Sequence, residues 1–166
     1  AQVPPPNFIF MRDLVFMTPE GAVLARPASP VRAAEARAAA ECLAAAGIPI
    51  IATIHGDGIM EGADCLWMRP NLVLIGVGHR TNASGLAQLV AVLSRMGVAT
   101  RAVPVPRGSQ HLLGVVTPLD HDLAVVDRER CSRALRAVLV ALEIELVELE
   151  PSDELRDQRG MNLVTL

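Results

Sequence analysis

The chain has 166 residues, of which 51% are hydrophobic, and a mean hydropathy of +0.37, which is enough apolar material for a sizeable core and excludes a disordered chain. Aromatic residues make up only 2%, with no Tyr and a single Trp, and the net charge is -3, so nucleic acid finds neither stacking platforms nor a basic footprint. No apolar run approaches the roughly 20 residues needed to span a bilayer, so no membrane partner is expected.

The opening AQVPPPN has neither the positive n-region nor the apolar h-region of a leader, and a cytoplasmic location is expected. Asn7 to Asp13 reads as a short apolar strand closed by a charged pair, and Leu14 to Phe16 continues it to a turn at Pro19, Glu20 and Gly21. A second strand follows over 22–25. Ser29-Pro30 predicts an N-cap with proline at the first helical position, opening an alanine-rich helix over 31–46 that stops at Gly47. Residues 50–54 form a third strand.

Shifted by roughly 50 residues, the same unit recurs, with Gly21-Ala-Val-Leu, Asn71-Leu-Val-Leu and His121-Asp-Leu-Ala in equivalent places. The second helix, about 82–96, aligns Leu86, Leu89, Val90 and Leu93 and stops at Gly97, ahead of a strand over 98–105. The third helix is expected to be capped near Asp127; it carries Leu135, Val138, Leu139 and Leu142 and precedes a strand over 144–149. The units cover about 7–54, 58–105 and 108–150 of a single domain spanning 1–166, and 161–166 begins a fourth.

Each unit places polar residues at a similar register: Asn7 and Asp13, then Glu61 and Asp64, then His111, then Asn162. Units related by rotation would bring them to one pocket, whereas an open sheet would not. Glu61 and Asp64 are separated by Gly62 and Ala63, small enough for a ligand to approach the backbone, and Arg80 follows a buried strand over 72–75. Carboxylates ahead of a strand and an arginine behind it suit a substrate that is cationic at one end and anionic at the other.

Phe10-Met-Arg-Asp13, Met60-Glu-Gly-Ala-Asp64, Arg80-Thr-Asn82, Gln110-His-Leu112 and Met161-Asn-Leu163, in this order and spacing, resemble the guanidine-modifying superfamily. That group holds arginine deiminases, dimethylarginine dimethylaminohydrolases and amidinotransferases. The resemblance implies an α/β fold, a pseudo-fivefold propeller of ββαβ units, of which this chain holds about three blades. It implies hydrolysis or amidino transfer on arginine or an arginine derivative through a Cys-thiouronium intermediate, with no metal or other cofactor. Asp13 would hold the substrate guanidinium, and His111 would be the general acid/base, with Glu61 orienting it or sharing its proton network. Arg80 and Arg32 would bind the substrate carboxylate with Asn7 beside them, and Asp64 would complete the substrate-binding set.

Two departures stand out. The glycine-rich segment carrying the nucleophilic cysteine is missing: Cys42 and Cys131 are expected on helices and Cys65 before a strand, with no CxxC pair for a disulfide framework or a zinc knuckle. Leu113 stands where arginine deiminases have Asp, which favours a methylated arginine or amidino transfer over plain deimination. An incomplete ring is expected to associate as a homodimer or with a missing segment. A competing reading is a nucleotide-binding α/β module, because Leu72-Val-Leu-Ile-Gly76-Val-Gly78 runs from a strand into G-x-G. Another is a non-catalytic fragment. His55, His79 and His121 are expected at the surface, and Trp67 in the core.

Overall fold

The recurrence is carried by three-stranded sheets of identical connectivity, three of them among the residues that the computed structural model describes, 7–157 and 160–161. In the first, β1 (Val15–Thr18) and β2 (Gly21–Leu24) form an antiparallel hairpin, and α2 (Ala33–Ala45) crosses over to β3 (Ile50–Thr53), parallel to β2. The second repeats this with β4 (Cys65–Arg69), β5 (Leu72–Val77), α3 (Ala83–Arg95) and β6 (Ala99–Pro104). The third has β7 (Val116–Asp120), β8 (Leu123–Asp127), α4 (Arg133–Ala141) and β9 (Glu145–Leu149). A short turn suffices for the antiparallel pair, whereas the parallel partner needs the helical crossover. The middle strands β2, β5 and β8 are buried almost throughout, which is why they read as continuous apolar runs rather than as alternating ones.

Three boundaries differ from the sequence expectation. Asn7 to Asp13 is not a strand: Phe10 N–H bonds to Asn7 O and Asp13 N–H to Phe10 O, folding the segment into turns that lead to the single helical turn α1 (Met11–Leu14). Pro30 opens a 3-10 turn over Pro30–Arg32, Ser29 makes no side-chain cap, and the α-helix starts only at Ala33. Ser132, not Asp127, caps α4, its Oγ accepting from Leu135 N–H at 3.2 Å. Asp127 Oδ1 instead accepts from the N–H groups of Glu129 and Arg130, closing the turn before the helix, and Cys131 ends that turn. Residues 162–166, where a fourth unit was expected, lie outside the described residues.

Successive units share their cores. Phe16, Val23, Val73, Ile75, Leu89 and Leu93 form one buried cluster between the first and second units. Leu66, Leu74, Leu112, Val126, Leu135 and Leu139 belong to another between the second and third. Trp67 stacks on Phe16 at 5.6 Å and donates to Met17 O, and Arg69 donates to His121 O and Leu142 O, so β4 is tied to both neighbours. Gly62 belongs to the same joint: a Cβ there would lie 2.4 Å from Arg12 O and 2.5 Å from Val15 O. Its smallness thus serves the close packing of two segments of this chain rather than the ligand approach expected from sequence. Among the described residues, no helix is long and apolar enough to cross a membrane.

Candidate active site

One helical turn precedes the first strand of each unit: α1, then the 3-10 turns Gly62–Asp64 and Leu112–Gly114. Asp13 lies within the first, and Glu61 and His111 are the residues just before the other two. Unit-to-unit packing brings these equivalent positions together. One side-chain oxygen of Asp13, one of Glu61 and one ring nitrogen of His111 all lie within 4.8 Å of one another.

Glu61 is the centre of the group and is 0% exposed. Its Oε2 lies 2.7 Å from His111 Nε2, while Oε1 accepts from Ala28 N–H at 3.0 Å and from Arg80 Nη1 at 3.3 Å. Burial alone would push this carboxyl up, but the bond to His111, the Ala28 N–H and the nearby positive charge together hold it below the usual carboxylate range. Glu61 is therefore an anion aligned on a histidine, the arrangement that orients an acid/base imidazole. The Arg80 side chain is 27% exposed, against 0% for the glutamate it meets.

Arg32 is placed differently from the expectation of a free carboxylate ligand. Its side chain is 8% exposed; Nε meets Glu35 Oε2 at 2.6 Å, Nη1 meets Asp13 Oδ2 at 2.5 Å, and Nη2 reaches Asn7 O and Phe10 O at 3.4 Å. Burial works against its charge, and the two carboxylates reverse that, holding it more firmly protonated. Asn7 is exposed and joins this group through its backbone carbonyl. Asp64 is likewise not open to a ligand: it is 0% exposed, and its oxygens accept from Thr81 Oγ at 2.7 Å and Leu112 N–H at 2.9 Å. Burial pushes it up to about 6 against the pull of those two bonds.

The sequence reading missed Glu35 and Thr81. Glu35 is 1% exposed in a helix otherwise full of alanine, and its one signal was the i,i+3 spacing from Arg32. Thr81, 0% exposed, stood inside a recognised motif, but nothing in the spacing tied it to Asp64. Cys42 is exposed on α2, while burial raises the Cys65 thiol far above its ordinary value and also raises that of Cys131, as expected for packed rather than nucleophilic thiols. His55, His79 and His121 are exposed, and Trp67 is half-buried against Phe16.

The family model for arginine deiminase matches residues 2–159. The chain belongs to the arginine deiminase family. This places it in the guanidine-modifying superfamily; Gly76, of the G-x-G in the nucleotide-binding alternative, lies in β5, where a Cβ would meet Val105, Leu112 and Asp64. Among relatives of this family, a dimethylarginine dimethylaminohydrolase of Streptomyces coelicolor is 32% identical over 114 residues, covering 69% of this chain and 43% of that protein. An arginine deiminase of Rhodococcus opacus is 37% identical over 71 residues, covering 40% of this chain and 18% of that one. The chain thus spans less than half the length of these curated relatives.

Solved structures agree on the α/β fold of the family. The dimethylarginine dimethylaminohydrolase of Pseudomonas aeruginosa, a cysteine-to-serine mutant complexed with citrulline, superposes with a TM-score of 0.77 at 22% identity, over 92% of this chain and 57% of that one. The N-terminal domain of a cyanobacterial arginine dihydrolase, bound to substrate, gives 0.84 at 16% identity, over 99% of this chain and 60% of that one.

Proposed function

We propose that the protein to which this chain belongs hydrolyses the guanidino group of a methylated arginine, with Asp13, Glu61 and His111 at the reacting end and Arg80 at the substrate carboxylate. The observation that carries this reading is the convergence of the Asp13, Glu61 and His111 polar atoms within 4.8 Å, with Arg80 on the same glutamate. Two carboxylates suit a planar guanidinium, and a histidine paired with one of them suits proton delivery to a leaving amine. A cysteine thiolate, contributed from outside the described residues, would attack the guanidinium carbon and form an S-thiouronium. The leaving amine would take its proton from His111; water, deprotonated by His111, would then release the ureido product and the thiol.

Arg32 and Arg80 pair with Asp13 and Glu61, the two carboxylates the substrate cation would use. Leu113 supports the methylated substrate, since it is 7% exposed within the apolar core and offers no second guanidinium ligand where arginine deiminases have Asp. The Streptomyces relative points the same way. We further take the three ββαβ units for blades of a pseudo-fivefold propeller in a single catalytic domain; their identical sheet order supports this. The test is turnover by the full-length protein of arginine and of its methylated forms, following citrulline together with ammonia or methylamines. Citrulline released with a methylamine is expected; no ureido product from any guanidino amino acid overturns the reading.

A further inference from the structure

Arg80 and His111 would act at opposite ends of the substrate and stand before different units, yet their segments are joined through one buried pair. Thr81 Oγ donates to Asp64 Oδ2 at 2.7 Å and accepts from Glu61 N–H at 3.4 Å. Asp64 Oδ1 accepts from Leu112 N–H at 2.9 Å. Each bond ends on a site residue or one position from it: Thr81 follows Arg80, Leu112 follows His111, and Glu61 contacts both of those side chains. Both members of the pair are 0% exposed, and Gly76 admits the approach, since a Cβ there would lie 2.9 Å from Leu112 Cβ and 3.2 Å from Asp64 Oδ1. A hydrogen-bonded pair shielded from water is stiff, because breaking it leaves a buried polar atom unsatisfied.

We propose that Thr81 and Asp64 are positioning residues that hold Arg80, Glu61 and His111 in one mutual geometry, so that the carboxylate end and the reacting end of the substrate are set by the same buried pair. The kinetic consequences rest on the guanidino reading above; the structural ones rest on the hydrogen bonds alone. Neither residue touches the substrate. Both act through neighbours, and a displacement of about 1 Å at the chemistry is enough to cost about a hundredfold in rate.

Thr81→Val keeps the side-chain volume and removes the hydroxyl. In the full-length enzyme it should lower kcat/KM by about 10- to 100-fold, while Thr81→Ser restores it to within about threefold. Combined with Arg80→Ala, its effect should be much smaller than in the parent, because both changes misplace the same contact. Independently of turnover, the Leu112 amide, which Thr81 does not touch, should exchange with solvent at least about tenfold faster in Thr81→Val. Parent-like kinetics, full additivity with Arg80→Ala, or unchanged Leu112 exchange in the folded variant overturns the proposal. A parent enzyme inactive on every guanidino compound sinks the functional reading instead, and the exchange measurement still decides this one. If Thr81→Val does not fold, Thr81→Cys, a weak donor of similar size, carries the same comparison.

Discussion

Glu61 and Asp64 are three positions apart, both fully buried, and electrostatically opposite. Glu61 gathers His111, a backbone N–H and Arg80, and stays below its ordinary range despite burial; burial pushes Asp64 up to about 6, against the pull of its two neutral donors. The signs predict different pH behaviour. Asp64 binds its proton more tightly folded than unfolded, so its contribution to stability is complete below about 3.8 and is lost as pH rises through about 6. Asp64→Asn, whose amide can still accept from Leu112 N–H, removes that loss and should gain on the parent by an amount of the order of 3 kcal/mol between pH 4 and 7. Glu61 works the other way: its contribution is present above about 4.5 and is lost as pH falls through its lower folded value. Thermal unfolding of parent and Asp64→Asn across this range is the check, and a difference that stays flat with pH sinks the assignment. Asp13, Glu61 and His111 were legible because they recur at one register of a repeat. The divergence of Glu61 from Asp64 was not legible, since it depends on Thr81 and Leu112, contacts 17 and 48 residues away.

At the scale of elements, the helices and middle strands were legible where capping and periodicity agreed. Asn82 caps α3, with its Oδ1 accepting from Gly85 N–H at 2.8 Å, and Gly47 and Gly97 take the left-handed φ of 70° and 71° that ends α2 and α3. The first segment misled because it is folded into turns whose Asn7 and Phe10 carbonyls also accept from Arg32 of another element, which no local propensity records. Asp127 misled because a short acceptor serves a turn as well as a helix cap. Gly85 offers a test of how closely α3 is docked. A Cβ there would sit 2.0 Å from Ile59 O and 2.7 Å from Ile59 C, on the chain that leads into Glu61. Alanine gains about 1 kcal/mol of helix propensity, but relief of the clash requires the helix to move, at a cost of about 1–3 kcal/mol or more. Gly85→Ala should therefore lower the denaturation midpoint and raise KM together. A variant at least as stable as the parent would show that α3 is free to shift.

At the scale of the whole molecule, the site exists only because three units are packed: Asp13 precedes the first sheet, Glu61 the second and His111 the third. The repeat told which residues were equivalent; that they meet follows from the cores shared between successive units, formed by residues far apart in sequence. Under the proposed function such a site would divide labour between the ends of its substrate, and kinetics can read the division. On the proposed function, Asp13 faces the guanidinium, whose charge and shape change during attack. Its interaction strengthens toward the transition state, so Asp13→Asn should lower kcat by about 10²- to 10³-fold. Arg80 holds a carboxylate that does not react. Arg80→Ala should therefore raise KM by about 10- to 100-fold with a smaller loss of kcat, the mark of uniform binding. Its bond to Glu61 adds one refinement: losing a cation beside that glutamate weakens the pull that keeps it ionised, so part of the Arg80→Ala defect should grow as pH falls. Steady-state kinetics of both variants at neutral and mildly acidic pH would test the scheme, and equal losses of kcat in the two would refute a split between reacting and anchoring ends.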